Sequence, residues 1–180
     1  MAANGSAAHL AGPMTCELLD PDTARQALAG LGPDPLGDGT RERLGAGLAR
    51  RSAPVGAALL DQRLIAGAGN VYWAEALFLC GIHPDRPARS LGDQETAGLW
   101  RVIVGAMRLG ERLGRIVTVD PAEVGARSSE DLADSDARLY VYRRAGLPRR
   151  RCAAELAAWT VGGRTITACP TCQPRERPRC

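Results

Sequence analysis

Two groups of residues in this chain have the types and spacing to do chemistry. Four cysteines crowd the C-terminal end (Cys152, Cys169, Cys172 and Cys180), while Cys16 and Cys80 stand apart. No basic stretch followed by an apolar one opens the chain, and thiols clustered in this way read as a metal site more readily than as a disulfide framework. The second group is Gly67-Ala68-Gly69-Asn70, a break ahead of an apolar periodic run through Val71, Ala74, Leu77 and Phe78 that stops at Gly81. A helix that opens at Asn70 behind two glycines presents unpaired backbone donors and partial positive charge with no side chain in the way, which makes an anion site. The same letters also describe a tight turn with Asn70 as an ordinary N-cap.

Charge adds a third constraint. Arginine supplies all 23 basic residues, so any mechanism that needs a lysine amine is excluded. The net charge of +3 hides an asymmetry: residues 143–180 hold nine Arg against Glu155 and Glu176, a local +7, which leaves 3 − 7 = −4 on the other 142 residues. A polyanion-binding surface is therefore weighted to the tail.

The elements that must position these groups are mostly helices. At 45% hydrophobic and 24% charged the composition is that of a globular protein, and aromatic residues are only 4%, so the core is Leu, Ala, Val and Ile. Asp20-Pro21 starts a helix that runs to Leu31, with Gly32-Pro33 as its stop. Thr40 to Ala49 forms a short basic helix, and Ser52-Ala53-Pro54 starts another that continues through Val55, Leu59 and Leu60 to Asp61-Gln62. Ser90-Leu91-Gly92-Asp93 matches a capping box, followed by a long amphipathic helix over Leu99, Val102, Ile103, Ala106, Leu109 and Leu113. Residues 118–137 are polar and read as an irregular connection with one helical turn. Beyond Tyr142, short segments, glycines and paired cysteines indicate a small hairpin.

The run Leu59-Leu60-Asp61-Gln62-Arg63-Leu64-Ile65-Ala66-Gly67-Ala68-Gly69-Asn70-Val71-Tyr72-Trp73-Ala74-Glu75-Ala76-Leu77-Phe78, followed by Gly81-Ile82-His83-Pro84, resembles the helix–two-turn–helix signature of the formamidopyrimidine-DNA glycosylase/endonuclease VIII family. The resemblance implies that Asn70 and the Gly69 backbone grip a phosphate beside a damaged nucleotide. Glu75 is read as a structural acceptor for the backbone of the preceding turn, His83 as a turn residue, and Trp73, Leu77 and Phe78 as core.

Cys152, sixteen residues, then Cys169-Pro170-Thr171-Cys172-Gln173 resembles the family's zinc hairpin, in which thiolates replace a core too small to form. A CxxC pair opens that hairpin in the family, and the position completing it here is Arg149. Zinc thus has three ligands, Cys152, Cys169 and Cys172. Either Cys180 supplies the fourth, or the hairpin stands without metal. Arg164, in Gly162-Gly163-Arg164-Thr165, matches the hairpin-tip arginine, which implies contact with the duplex near the lesion.

The resemblance further implies a DNA glycosylase/AP (apurinic/apyrimidinic) lyase of base excision repair. The proline nucleophile and adjacent glutamate that begin the family's catalytic domain have no counterpart at Met1-Ala2-Ala3. His9 to Leu19 resembles the last strand of that domain. The expectation is a mainly α fold: a helix–two-turn–helix bundle with a small C-terminal zinc-ribbon-like β-hairpin. Residues 1–39 are expected to end the catalytic domain and link onward, 40–139 to bind DNA, and 140–180 to form the zinc-finger-like hairpin. The expected protein is a cytoplasmic, nucleoid-associated monomer that does not enter membranes. It binds lesion or abasic-site double-stranded DNA and is inactive alone, with a stand-alone non-catalytic DNA-binding protein as the alternative.

Overall fold

Asp20 caps the first helix, α1 (Pro21–Ala29). Its Oδ1 accepts from the amides of Asp22 and Thr23 at 2.9 and 3.0 Å, and its Oδ2 from the Thr23 hydroxyl at 2.6 Å. Those bonds, the Thr23 hydroxyl first, hold its carboxyl below the usual carboxylate range. The computed structural model describes residues 17–37, 39–148 and 150–175. Helix α1 lies in a small unit, Met1–Gly30, and everything discussed below belongs to a second unit, Leu31–Cys180.

In that second unit α2 (Arg41–Ala49) is capped by the Thr40 hydroxyl, and α3 (Val55–Ala58) is a single turn. The sequence predicts a longer α3 through Leu60. The chain instead leaves the helix after Ala58 and winds through hydrogen-bonded turns to Ile65. Asp61 stabilises these by taking the Arg63 amide and the Arg51 guanidinium, each at 3.0 Å. The principal helices are α4 (Asn70–Leu79) and α5 (Asp93–Leu113), with a single-turn α6 (Ser129–Leu132) in the polar connection. Strands β1 (Ala157–Val161) and β2 (Arg164–Ala168) pair antiparallel, from Ala157 opposite Ala168 to Val161 opposite Arg164. A mainly helical chain ending in one β-hairpin is what the sequence predicts. Among the described residues, no helix is long and apolar enough to cross a membrane.

The cap of α5 differs from expectation. Ser90 belongs to a preceding 3-10 turn, where its hydroxyl donates to the Pro87 carbonyl at 2.7 Å. Gly92 is the N-cap, and its amide donates to Glu95 Oε2 at 3.0 Å. Glu95, three residues after the cap, completes the side-chain half of a capping box that a glycine cannot reciprocate.

Helix α4 is apolar nearly all round, a pattern that requires burial on every side. Trp73, Ala76 and Leu77 enter one core with Leu44, Leu48, Leu59, Leu99, Ile103 and Met107. Ala74 and Phe78 enter another with Val117, Val119, Leu132, Tyr140, Val141 and Leu156. Between them lies Glu75, fully buried. It accepts from the amides of Tyr140, Val141 and Tyr142, each at 2.8 Å, and from the Thr118 hydroxyl at 2.5 Å. Glu75 is therefore structural, as expected, but its partners are 43 to 67 residues away. The preceding turn is out of reach because only the third helical residue, here Tyr72, can reach back to the cap.

The hairpin is attached to the helices at close quarters. A Cβ on Gly56 would lie 2.6 Å from Ile166 Cδ1, and one on Gly162 would lie 3.1 Å from Ala57 Cβ. Trp159 donates to Asp85 Oδ1 at 2.8 Å and stacks on His83. Buried Gln173 accepts the Cys169 amide at 2.9 Å and donates to the Ile82 carbonyl at 2.8 Å.

Replacing Glu75 by Ala leaves the buried Tyr140 and Val141 amides and the part-buried Tyr142 amide without an acceptor, at a cost of about 1–3 kcal/mol for each buried unsatisfied group. Glu75→Ala is expected to lower unfolding stability by at least ~3 kcal/mol in urea titrations, with Glu75→Gln, which keeps one acceptor oxygen, losing less.

Candidate nucleic-acid interface

The turn ahead of α4 is built so that its own polar groups are satisfied and the helix amides are not. Gly67 adopts φ +76°, a left-handed conformation that favours glycine. Gln62 spans the turn, accepting the Gly67 amide at 2.9 Å and donating to the Ala68 carbonyl at 3.0 Å. Trp73 Nε1 donates to the same carbonyl at 2.9 Å. Gly69 is the N-cap, with φ −94° and ψ −176° that any residue could adopt, and a Cβ there would meet nothing within 4 Å. Its missing side chain leaves open space in front of the first amides of α4, the position where an anion is best stabilised.

Asn70 is the first helical residue and not the N-cap. Its Nδ2 donates to the Thr165 carbonyl at 3.1 Å, and its Oδ1 is buried without a hydrogen-bond partner. The side chain is thus turned away from its own helix and onto β2. One of its two N–H groups is engaged there, and the second is available to a ligand.

Arg164 is the first residue of β2, exposed, beyond the turn Gly162-Gly163. Both glycines have positive φ, +56° and +74°, as a two-residue hairpin turn that matches strand twist requires. Because Asn70 bonds the backbone of Thr165, the structure places the predicted helix terminus and the predicted hairpin-tip arginine next to one another, 95 residues apart in the chain for the bonded pair.

The thiols of Cys152, Cys169 and Cys172 lie within 4.8 Å of one another, with Cys152 and Cys169 3.6 Å apart. Thiolates around a tetrahedral zinc, at ~2.3 Å from it, sit roughly 3.8 Å apart, whereas a disulfide needs ~2.05 Å. The donor set is compatible with a soft divalent metal. Arg149 and Cys180, the other two residues named for this site, fall outside the described residues.

Several contributors have no signature in the sequence. Gln62 braces its own turn through backbone groups five and six residues on, and Gln173 reaches the Ile82 carbonyl 91 residues away. A cleft of about 1040 Å³ borders Gly67 and Val71 and is lined also by Arg138, Tyr142, Arg143 and Arg144. Arg143 has φ +56°, unusual for a side chain of its size, and its guanidinium lies 5.5 Å from the Tyr142 ring centre. Burial and the nearby Arg150 lower the pKa of Arg144, with Glu75 acting in the opposite sense. The excess of arginine at residues 143–150 hints at such a surface, but only the Glu75 clamp on residues 140–142 places it beside α4.

Comparison with known proteins gives consistent results. Residues 31–120 match the family described as the formamidopyrimidine-DNA glycosylase H2TH domain. The chain is 40% identical to Endonuclease 8 1 of Mycobacterium tuberculosis over 165 residues, covering 91% of this chain and 61% of that protein. It therefore spans about three fifths of that relative's length. Among solved structures it is similar to the MutM (Fpg) protein of Thermus thermophilus, with a TM-score of 0.70 and 35% identity over 87% of this chain and 59% of the other. It is also similar to Lactococcus lactis Fpg in complex with DNA containing an abasic site, with a TM-score of 0.68 and 26% identity over 87% and 57%.

His83, expected to be a turn residue, accepts the Asp85 amide at 3.1 Å through Nδ1 and is nearly buried under Trp159. Burial lowers its pKa from the usual 6.5, Asp85 opposes the shift, and Arg175 adds to it. The unfolded chain then takes up the proton first, so the imidazole's contribution to stability is complete above 6.5 and is lost as pH falls below it. Melting temperatures measured across this range are expected to drop on acidification, and His83→Phe is expected to flatten that part of the profile.

Proposed function

Because the chain belongs to the formamidopyrimidine-DNA glycosylase/endonuclease VIII family, we propose that it binds double-stranded DNA at a lesion or abasic site during base excision repair, through Gly69, Asn70 and Arg164. The observation that carries this reading is the Asn70–Thr165 hydrogen bond, which sets a helix N-terminus and an arginine side by side. In this reading α3, the turns at 59–69 and α4 form the helix–two-turn–helix element. The amides behind Gly69 and the free N–H of Asn70 hold one backbone phosphate. Arg164 contributes a delocalised cation suited to bidentate phosphate contact.

These residues hold the DNA within a bifunctional glycosylase/AP lyase and do not attack the sugar. Arginines and helix amides stabilise phosphate charge but supply no nucleophile, and the sequence contains no lysine to provide an amine. The division into a DNA-binding part at 40–139 and a hairpin at 140–180 belongs to the same proposal, as does a monomer acting at the nucleoid in the cytoplasm.

Zinc fits the three thiols and is assigned to Cys152, Cys169 and Cys172. Bound there, it supplies a structural cross-link and no chemistry on the substrate. Its ligands join the start of the hairpin to the turn after β2, which Gln173 already pins to the end of α4. Arg164 and Thr165 would thereby be held against α4.

Fluorescence anisotropy with abasic-site duplex is expected to show binding that weakens steeply with salt and is not accompanied by strand cleavage. Arg164→Ala should reduce the salt slope by about one, whereas Asn70→Ala should weaken binding with little change in slope. The double variant should lose less than the sum of the single losses, by roughly 0.5–1 kcal/mol, because the two residues act through one hydrogen-bonded edge. Salt-independent or absent binding would refute the reading.

Metal analysis of protein purified without chelator is expected to give one zinc per chain, lost in Cys169→Ser. Chelator should lower the melting temperature of the wild-type chain and leave that of the variant unchanged.

A further inference from the structure

Helix α2 and the turn at residues 61–64 enclose a groove of about 280 Å³. One face of α2 and its C-cap line it with Arg43, Ala46, Gly47 and Arg50, the i, i+3, i+4, i+7 pattern of side chains that stack along a helix. Arg63 and Leu64 close the other side. Gly47 lets the two walls meet, since a Cβ there would lie 2.3 Å from Leu64 Cδ1.

The charge in this groove is not balanced. Arg51 also borders it, but its guanidinium is occupied, donating to the Gly47 carbonyl at 2.8 Å and to Asp61 at 3.0 Å. Asp61 is shared with Arg63, also at 3.0 Å, so one carboxylate serves two guanidinium groups. Arg43 and Arg50 are exposed and make no side-chain ion pair or hydrogen bond among the described residues. Four guanidinium groups against one carboxylate leave a local +3.

The spacing points to an extended anion. Arg43 and Arg50 are seven residues apart, roughly 10 Å along the helix axis, a row wider than a single phosphate or carboxylate. A nucleic-acid strand carries one charge per ~3.4 Å of axis and matches such a row. The floor is alanine and glycine, with no exposed aromatic or large apolar side chain to anchor an acidic peptide, and such anchors dominate protein interfaces. The groove is also coupled to the phosphate turn. Gln62, adjacent to Arg63, bonds Gly67 and Ala68, and the Gln62 carbonyl accepts the Gly32 amide at 2.8 Å while Pro33 takes the Ala66 amide at 3.1 Å.

We propose that this groove is a second DNA-backbone site, where Arg43, Arg50 and Arg63 hold phosphates of the duplex flanking the one gripped at Gly69 and Asn70. The inference rests on the DNA-binding reading above and lengthens its footprint.

The test is anisotropy titration of the full chain over a range of salt. One abasic-site duplex is just long enough to cover the lesion, and a second is extended by about one helical turn on each side. In R43A/R50A the salt slope on the long duplex is expected to fall by about two, with affinity at low salt reduced at least tenfold and the short duplex bound as by wild type. Equal slopes for variant and wild type on both duplexes, with Asn70→Ala weakening both, would remove the groove from the interface and leave the main reading standing. If wild type binds neither duplex in a salt-dependent way, both fall. Binding of poly-glutamate that is lost in R43A/R50A, with duplex binding intact, would reassign the groove to a protein partner. Circular dichroism of R43A/R50A checks that the fold is intact, which two exposed helix positions changed to alanine should preserve.

Discussion

A carboxylate removed from water must find charge or donors, and Glu75 finds four donors contributed by two distant segments. The rest of the Leu31–Cys180 unit depends on that arrangement. Helix α4 sends fully buried side chains into both cores, and Glu75 makes it also the acceptor for three successive amides of the chain leaving the polar connection. Without that clamp, residues 140–142 would lose their register against α4, and with it the placement of Tyr142, Arg143 and Arg144 on the cleft wall. Hydrophobic burial alone could not set this register, because it is non-directional, whereas three amides aimed at two oxygens define both position and orientation.

A second set of directional contacts attaches the hairpin. Asn70 to Thr165 links it to the start of α4, and Gln173 to Ile82 and Trp159 to Asp85 link it to the segment just beyond that helix. A two-stranded hairpin is marginal by itself in water. Here it is held by close backbone approach at Gly56 and Gly162 as well as by these bonds, and three thiols gather at its base. The two arms of the proposed phosphate grip therefore inherit their separation from one rigid helix, which suits a protein that must recognise a fixed spacing of charges.

The cationic surfaces follow a related logic. All the basic residues are arginines, and many are already engaged: Arg86 with Glu95, Arg151 with Glu123, Arg144 with backbone carbonyls. Such arginines build the fold and contribute to the field without being the groups that contact a ligand. Net charge by segment locates the tail as the basic end, but it does not separate structural guanidiniums from available ones, and it overlooks α2, whose arginines lie among the 142 residues that are negative overall.

By itself the sequence determined the helical class, the glycine break before α4, the C-terminal hairpin and the convergence of Cys152, Cys169 and Cys172, whereas the polar connection holds two 3-10 turns besides the one helical turn expected there. Each is a local matter: caps, glycine conformations, apolar periodicity and short spacings act within a few residues. Its errors were also local in origin. Ser90 matched a capping pattern that Gly92 and Glu95 fulfil, α3 stops a turn early where Asp61 organises the chain differently, and Glu75 bonds backbone far along the chain instead of nearby. Tertiary structure alone decided that Asn70 turns onto β2 beside Arg164, that Gln173 braces the hairpin against Ile82, and that Arg143 and Arg144 share a cleft with Gly67 and Val71. Those contacts join residues tens of positions apart, and their directions come from how two cores share one helix, which no window of sequence contains.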